Sequence, residues 1–242
     1  MKIKNAHIKN LHVRASTIVT DGLQMYLDAG NPASYPGSGT TWTDTIGNKE
    51  FTLHNGPVYN NNNGGYLTFV PDAQQYADAP SFDDTLANWT LEAWHYYDGT
   101  YNMYGAGNSP CLITEVYPGG GTINFTLGNC SDSFPCVQVG HWDGANWYPN
   151  PQDTVLSSNN WYHVIGTFNG STHKLYVNGI LASSANAPSA AALSGAGIRL
   201  MRRWDYHNYW GGRLAVVRIY NAALDAAEVT QNYNAERSRF GL

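Results

Sequence analysis

The sequence predicts an all-β protein, an antiparallel sandwich of two sheets that ends in one short helix. Short apolar or alternating segments are separated by turn clusters such as NNNNGG, YPGGG and HWDGAN. Such regular punctuation is typical of many short antiparallel strands. Only the C-terminal segment has a helical pattern. Apolar residues make up 43% of the chain and charged residues only 13%, so a full core can form while neutral polar residues supply the turns.

The predicted strands are segments in which apolar residues alternate with polar ones or run together between turn signals. In the last of them, Leu214 and Val216 share one face with Arg218 and Tyr220, while Val217 lies on the other. Apolar residues on both faces indicate a strand in the middle of a sheet. In chain order the predicted strands are GLQMYLD, YLTFV, NWTLEAWHYY, TINFTLG, CVQVGHW, WYHVIGTF, HKLYVNGIL, IRLMRRW and GRLAVVRIY.

The predicted helix follows directly on that last strand. Asp225 followed by Glu228 forms an Asp variant of the capping box, and Val229 and Tyr233 fall on one helical face. A helix of two turns is too short to be stable alone in water. We therefore expect it to pack on the sandwich, where it would cover an open end or a sheet edge.

The chain is predicted to hold one domain, residues 21–242, preceded by an extended basic arm, residues 1–20. The body is acidic, because the formal net charge of the whole chain is −5 and the arm is positive. Such an arm can bind an acidic protein surface or phosphate, or it can be a solvated tail. The candidate partner-binding residues are Lys2, Lys4, Lys9 and Arg14, which all precede the first acidic residue, Asp21.

No segment predicts a membrane span, since no apolar run reaches the ~20 residues that a bilayer requires. The N-terminal stretch MKIKNAHIKNLHVRAST also lacks the apolar centre of a signal peptide, so we expect a product that is either cytosolic in origin or released by another route, such as cell lysis. Cys111, Cys130 and Cys136 cannot all pair within one chain. Cys130 and Cys136 can close a small loop or can remain two reduced thiols.

Several stretches resemble, in order as well as in kind, the laminin-G-like or concanavalin A-like jelly-roll domains. The resemblance covers about residues 21–242 and implies two antiparallel sheets, one convex and one concave. It also implies a binding module, or in some members a glycosidase. LDAGNPASYPGSGTTW and QNYNAERSRFGL resemble the variant of this domain found in tailed-phage virion proteins. The matching stretches are GLQMYLDAGNPASYPGSGTTWTDTIGN, YLTFVPDAQQYADAP, WTLEAWHYY, NNWYHVIGTFNGSTHKLYVNGILASS and YWGGRLAVVRIYNAALDAAEVTQNYNAERSRFGL.

The acidic residues do not match those of a glycosidase. Glycoside hydrolysis needs two carboxylates about 5–10 Å apart, and the catalytic relatives place closely spaced acids on one strand. Glu92, in WTLEAWHYY, stands alone and is predicted to make a structural hydrogen bond beside Trp94. We therefore expect no enzymatic activity. The glutamates, of which no two share a predicted strand, are Glu50, Glu92, Glu115, Glu228 and Glu236.

Calcium is the one cofactor that the resemblance implies, because many relatives hold this ion through loop oxygens. Asp28 and Asn31 in LDAGNP, with Asp44 in TWTDT, form the richest oxygen cluster in the matched N-terminal stretch. The alternative is that the two aspartates only cap turns.

Two aromatic segments, HWDGANWYPN and RRWDYHNYW, are candidate glycan-binding loops. Flat rings stack on the apolar faces of sugars, and neighbouring carboxylates and amides bind their hydroxyls. The same segments can instead form a protein contact surface, whereas Trp94, Trp161 and Trp210 lie inside strand motifs and are predicted to be core. The candidate carbohydrate-binding residues are Trp142, Asp143, Asn146, Trp147 and Tyr148 in the first segment, and Trp204, Asp205, Tyr206, Asn208 and Tyr209 in the second.

The resemblance to tailed-phage virion proteins implies a non-enzymatic structural protein of a bacteriophage virion, as a capsid decoration or a tail fibre component on the particle surface. The basic arm would bind other virion proteins, and the body would present a lectin-like face to a host surface glycan or to a protein. We expect a homo-oligomer on the particle and no nucleic acid partner. Two alternatives remain: a carbohydrate-active enzyme, and an adhesion module of a larger cell-surface protein.

Overall fold

The computed structural model describes residues 17–81, 86–102, 110–116, 123–129, 136–149, 154–189, 197–203 and 208–242. In these ranges the chain is all-β apart from one α-helix and three short 3₁₀ turns. The strand pairs of both large sheets are antiparallel. The predicted fold class, a two-sheet sandwich with one C-terminal helix, is confirmed.

The strands and the helix follow one another along the chain with short turns between most of them. The first ten strands are β1 Leu23–Asp28, β2 Thr41–Thr43, β3 Glu50–His54, β4 Val58–Asn60, β5 Tyr66–Phe69, β6 Tyr76–Ala79, β7 Trp89–Tyr97, β8 Tyr101–Asn102, β9 Cys111–Val116 and β10 Ile123–Asn129. The remaining elements are β11 Cys136–Trp142, β12 Trp147–Pro149, β13 Thr154–Val155, β14 Asn160–Phe168, β15 Thr172–Val177, β16 Ile180–Asn186, β17 Gly197–Leu200, β18 Tyr209–Trp210, β19 Gly212–Tyr220 and the helix α1 Ala226–Glu236.

The strands form two large sheets and one small ladder. Sheet A has the order β16-β15-β14-β7-β19-β5-β4, and β1 also pairs with β19. Sheet B has the order β12-β11-β10-β9-β17-β6-β3-β2, and β13 also pairs with β11. The short strands β18 and β8 pair with each other. Neighbours in each sheet are often far apart in sequence, as in a jelly roll.

The main core lies between the inner faces of the two sheets. Leu91 and Ala93 of sheet A belong to the same buried cluster as Ile113, Leu127 and Val139 of sheet B. Because side chains alternate along a strand, the residues between these point to the outer faces of the sheets. Burial of apolar surface between the sheets is the main force that holds the sandwich together.

Strand β19 lies in the middle of sheet A, as its two apolar faces predict, but its alternation is interrupted. The register with β7 shifts between Leu214 and Val216. Leu214 therefore joins Val217 and Ile219 in the main core, while Val216 packs on the outer face. The predicted shared face of Leu214 and Val216 is wrong because a β-bulge inserts one residue between them.

Helix α1 begins with the predicted capping box. The Asp225 carboxylate accepts hydrogen bonds from the backbone N–H groups of Ala227 and Glu228, and the Glu228 carboxylate accepts one from the Asp225 N–H. The helix has 11 residues, about three turns, and is longer than predicted. Val229 packs with Tyr220 on the outer face of sheet A, and the helix also lies against the edge strand β16.

Replacing Asp225 with Ala is expected to lower the free energy of unfolding by about 0.5–2 kcal/mol, because two backbone N–H groups lose their acceptor. Asp225→Asn is the matched control, since an amide oxygen also caps a helix. Thermal melts of both variants test this expectation. Equal melting temperatures for the Ala variant and the parent would contradict the stabilising role of the cap.

The last residues of the predicted arm pack on the body. Val19 is buried, and its N–H donates to the side-chain oxygen of Asn232 in α1 at 2.7 Å. Tyr220 donates from its hydroxyl to the Val19 carbonyl at 3.2 Å. The four basic residues Lys2, Lys4, Lys9 and Arg14 lie outside the described residues, so their role and the boundary at residue 20 stay predictions.

Two further expectations concern the chain as a whole. In the described ranges, no helix combines the length and the apolar character that crossing a bilayer requires. Cys130 lies outside the described residues, so its pairing with Cys136 stays a prediction.

Candidate functional site

The outer face of sheet B carries the candidate site. The strand registers place one row of outward-facing residues straight across the sheet. Strands are about 4.8 Å apart, so the row extends about 19 Å from β6 to β11. Its middle is buried and its two ends carry aromatic and charged groups. In order from β3 to β11, the row consists of Thr52, Asp78, Arg199, Thr114, Thr126 and Gly140.

At one end of this row is the tryptophan hairpin, formed by Trp142 of β11 and Trp147 of β12. The two residues are paired directly across the strands, and both side chains are half-buried. The Trp147 ring lies over Gly140, where an added Cβ would be 2.7 Å from Cζ2 of the indole. Only glycine leaves room for this ring at that position.

The turn of the tryptophan hairpin is held by Asp143. Its Oδ1 accepts hydrogen bonds from the N–H of Asn146 at 2.6 Å and of Ala145 at 2.8 Å. These backbone bonds, the one from Asn146 first, lower the pKa of the Asp143 carboxyl to about 2. A carboxylate and the exposed Asn146 amide therefore lie beside the two indoles.

At the other end is the planar stack, formed by His54, Tyr76, Arg202 and Tyr209. The His54 and Tyr76 rings are parallel, with centroids 4.2 Å apart and an interplanar angle of 9°. The Arg202 guanidinium carbon lies 4.7 Å from the Tyr76 centroid and 5.3 Å from the Tyr209 centroid. Cation–π attraction favours this arrangement, which orders one cation and three rings across neighbouring strands.

Asp78 and Arg199 lie next to the planar stack. Asp78 contacts His54 Nε2 at 2.8 Å through Oδ1 and Arg199 Nη2 at 3.5 Å through Oδ2. The pKa of the Arg199 guanidinium is lowered from its usual value, first by burial and then by the nearby charge of Arg202. Arg199 and Arg202 thus lie close together, and Asp78 contacts Arg199.

Met201 explains why both arginines reach this face. Its φ of 63° is in the left-handed region, which non-glycine residues seldom adopt. The strand alternation therefore ends at this residue, and Leu200 and Met201 are both in the core. Arg202 is left half-buried beside Arg199, in contact with the Tyr76 ring that Arg199 also approaches.

An open depression of about 410 Å³ continues this face along β3 and β6. Thr52, which pairs with Asp78, is one of its lining residues. The depression therefore adjoins the charged end of the row and offers further polar groups. Its lining residues are Lys49, Glu50, Thr52, Ala79, Pro80 and Ser81.

The first predicted glycan-binding loop is placed largely as expected. Trp142, Asp143, Asn146 and Trp147 lie together at the tryptophan hairpin. Half-buried Tyr148 pairs with His141, and their ring centroids are 5.5 Å apart, so its ring packs against the core and its role in glycan binding stays a prediction. Its neighbour Trp147 faces outward because adjacent residues of a strand point to opposite faces.

The second predicted loop differs more from expectation. Asn208 and Tyr209 are buried, with 0% and 2% of their surface exposed, so neither offers a free face to a sugar. They are buried because the chain turns back here: Arg203 N–H donates to the Asn208 carbonyl and Trp210 N–H to the Met201 carbonyl. Trp204, Asp205 and Tyr206 lie outside the described residues, so their role stays a prediction.

Sequence reasoning missed His54, Tyr76, Asp78, Arg199 and Arg202. Two signals were available. In YADA, large polar residues alternate with alanines that are small enough to be buried, which is a strand pattern. In RLMRRW, three arginines lie close together in a chain that is negative overall.

The predicted calcium ligands do not fit the ion. Both oxygens of Asp28 bind the Arg239 guanidinium, at 2.9 and 3.1 Å. Both oxygens of Asp44 accept backbone N–H groups, with three bonds of 2.8–2.9 Å. Asn31 Oδ1 accepts the Ala33 N–H at 3.0 Å. In the described part of the chain no three His, Cys, Asp or Glu side chains are grouped to hold a metal.

We therefore expect that neither excess calcium nor EDTA will change the melting temperature. Asp28→Asn is expected to cost about 1–3 kcal/mol with or without calcium, because it weakens a charged hydrogen-bonded pair with Arg239. Melting curves of the parent and this variant in both buffers test the expectation. A rise in the parent's melting temperature on calcium addition, absent in the variant, would instead support an ion at this position.

Glu92 is sealed between sheet A and helix α1. One carboxylate oxygen accepts hydrogen bonds from His163 at 2.9 Å and from Arg218 at 2.6 Å, and the other accepts one from Asn232 at 2.8 Å. Burial raises the pKa of this carboxyl, but the Arg218 charge and the His163 bond outweigh it and lower the pKa to about 2. The predicted structural role of Glu92 beside Trp94 is confirmed.

The fold defines a jelly-roll β-sandwich, with an aromatic and charged outer face on one sheet. The chain belongs to the concanavalin A-like lectin/glucanases superfamily, because the Laminin_G_3 family matches residues 71–230. The family part of the sequence resemblance is thereby confirmed. A search of curated proteins finds no match to this chain.

Solved structures with a similar fold include domains of bacterial proteins. The binding domain of Paraclostridial mosquitocidal protein 1 has a TM-score of 0.68 and 14% identity, over 88% of this chain and 52% of that one. Domain 4 of the GH43 arabinanase AbnA of Geobacillus stearothermophilus, in complex with arabinotriose, has a TM-score of 0.65 and 15% identity, over 87% of this chain and 98% of that one.

A third similar structure is the binding domain of botulinum neurotoxin DC in complex with SialylT. It has a TM-score of 0.63 and 14% identity, over 89% of this chain and 52% of that one. This chain therefore spans about half of each toxin fragment and nearly all of the arabinanase domain. At these identities the likeness concerns the fold.

Proposed function

We propose that this chain is a non-enzymatic module that binds carbohydrate on the outer face of sheet B. The observation that carries the proposal is the tryptophan hairpin, where two half-exposed indoles face outward beside Asp143 and Asn146. Indoles bind the apolar face of a pyranose, and a fixed carboxylate or amide binds its hydroxyls. Because the indoles lie on paired strands, little conformational entropy is lost when a ligand binds.

The similar structures support this proposal. An arabinanase domain in complex with arabinotriose and a neurotoxin binding domain in complex with SialylT both have this sandwich fold. The burial of Glu92 supports the absence of catalysis. This carboxylate, in the stretch WTLEAWHYY, is wholly buried beneath α1, and both of its oxygens accept hydrogen bonds from protein side chains. A general acid or base must instead lie within hydrogen-bond reach of the substrate.

A glycan array followed by calorimetry tests the proposal. Trp147→Ala is expected to weaken binding of any glycan hit about tenfold or more, since an aromatic stack of about 1.4 kcal/mol corresponds to that factor. Tyr101→Ala is the control, because it removes an exposed ring outside sheet B. Unchanged affinity of the Trp147 variant would place the ligand elsewhere, and a blank array would reject the function.

We also propose that the module is carried on a tailed-phage particle as a homo-oligomer, with the basic arm bound to other virion proteins. The support is the resemblance of two sequence stretches to virion proteins and the separate positive charge of residues 1–20. Antibody detection across a density gradient of the lysed native source tests it. Co-sedimentation with particles is the expected result, and recovery only with the cell envelope would favour the adhesion module.

A further inference from the structure

We propose that the planar stack binds the carboxylate of an acidic sugar, with Arg202 and Arg199 as the cationic groups. This inference rests on the proposed function, because it assigns the class of glycan that sheet B binds. It adds a site to the tryptophan hairpin, at the other end of the same face.

The position of Arg202 is the first argument. Its guanidinium carbon lies 4.7 Å from the Tyr76 centroid and 5.3 Å from the Tyr209 centroid. Ring contacts of this kind hold a guanidinium in place without using its N–H groups as hydrogen-bond donors. Those N–H groups can therefore donate to the two oxygens of a carboxylate.

The charge balance is the second argument. In the described part of the chain no salt bridge involves Arg202, whereas Arg199 contacts Asp78. The Arg199–Asp78 contact of 3.5 Å is long, and Asp78 also contacts His54 at 2.8 Å. Arg202 therefore adds a positive charge that contacts no carboxylate among the described residues, in a protein whose formal net charge is −5. An anionic ligand would neutralise that charge.

The neighbouring groups favour a sugar as the carrier of the charge. Exposed Thr52 lies beside Asp78, and half-buried His54 and Tyr76 border the arginines. Hydroxyl, imidazole and carboxylate groups of this kind bind sugar hydroxyls. The open depression lined by Thr52 and Glu50 gives room for further sugar units along β3. A sulfate ester on a sugar would supply the same negative charge, so the experiment must separate the two.

Sheet A offers a matched control residue. The Arg213 guanidinium lies 4.1 Å from the Tyr96 centroid and 5.0 Å from the Tyr66 centroid. It therefore makes the same kind of ring contacts as Arg202, but on the opposite side of the molecule. Arg213→Gln removes the same charge and the same cation–π contacts without touching the planar stack.

The experiment uses the full chain on an array of glycans that end in a uronic or sialic acid. Each is printed beside its carboxyl-reduced form and beside a neutral glycan that carries a sulfate ester, and hits are titrated by calorimetry. The acidic form is expected to bind about tenfold or more tighter than the reduced form. Arg202→Gln should abolish that preference. Arg202→Lys should retain only part of it, because an ammonium group lacks the paired N–H donors with which a guanidinium binds both oxygens of a carboxylate. Arg213→Gln should leave it intact.

Asp78→Asn tests the inference through an expected gain of affinity for the acidic glycan. Removing the competing carboxylate should tighten binding of the acidic glycan severalfold, which a purely structural role of Asp78 would not do. Melting curves identify any variant that fails to fold, in which case the Lys and Asn variants decide. Equal binding of acidic and reduced forms, stronger binding of the sulfate ester, or equal losses for Arg202→Gln and Arg213→Gln would each overturn the inference. If only neutral glycans bind, the proposed function stands; if no glycan binds, both fail.

Discussion

Replacing Arg218 with Met is expected to lower the free energy of unfolding by about 3–5 kcal/mol. The side chain is wholly buried and joins Glu92 of β7 to Glu236 of α1. Without it, two carboxylates remain beneath the helix with no cation between them. The cost comes less from the lost attraction than from the uncompensated charge, which stays in a medium of low dielectric constant.

Chemical denaturation of matched variants tests this explanation. The double variant Glu92→Leu with Arg218→Met is expected to be more stable than Arg218→Met alone, because it also removes the stranded carboxylate. Arg237→Met is the control: the residue is exposed, and the change should stay within about 0.5 kcal/mol. If the double variant is less stable than the parent by the sum of the losses of the two single variants, buried charge is not the cause.

Acidification is expected to destabilise the protein well before its carboxylates titrate. Burial, with a smaller contribution from His141, lowers the pKa of His173 to about 3, and burial lowers the pKa of His95 to about 4. The unfolded chain binds protons at these residues below a pKa of about 6.5, whereas the folded chain does not. Stability is therefore complete above pH ~6.5 and falls as the pH drops toward the folded values.

The expected loss is about 2 kcal/mol for each of these two imidazoles between about pH 6.5 and 5. His141, whose pKa is also lowered by burial, contacts His173 at 2.8 Å and adds to the same slope. Urea unfolding at a series of pH values measures the slope directly. His95→Gln should reduce it by about one proton, whatever its effect on stability at neutral pH.

Glu92 affects the free energy of unfolding over a lower pH range than the histidines do. Its folded pKa of about 2 is below the unfolded value of about 4.3, so its contribution is present above that value and is lost as the pH falls toward 2. A slope that begins only below about pH 4.5 would therefore show that the carboxylate, and not the imidazoles, controls acid unfolding.

Local sequence signals predicted the elements that depend on local contacts. The capping box of α1 was predictable because Asp225 and Glu228 satisfy each other within one turn. The placement of Leu214 and Val216 on opposite faces of β19 was not predictable. It results from a bulge, which depends on the register with β7 and leaves no mark in the alternation of apolar and polar residues in the sequence. The same limit applies to the length of α1, which depends on packing against sheet A.

The candidate site divides in the same way. Trp142 and Trp147 are neighbours across one hairpin turn, so a short segment of sequence was enough to bring them together. The planar stack takes residues from β3, from β6 and from the turn after β17, and that grouping exists only once sheet B has formed. Met201 adds to the difficulty, because its left-handed backbone brings Arg202 to a face that strict alternation would not predict.

Asn232 lies on the outer side of sheet A, as do both ends of the described chain. Its amide holds Val19 near one end of the described chain, and it also binds Glu92 and Tyr220 in the middle of sheet A. The C-terminal Leu242 lies directly after the turn that follows α1, on the same side. The described chain therefore begins and ends on the side of sheet A, opposite to the outer face of sheet B. Copies fixed side by side on a surface would display their sheet B faces in parallel, so that weak individual contacts gain avidity.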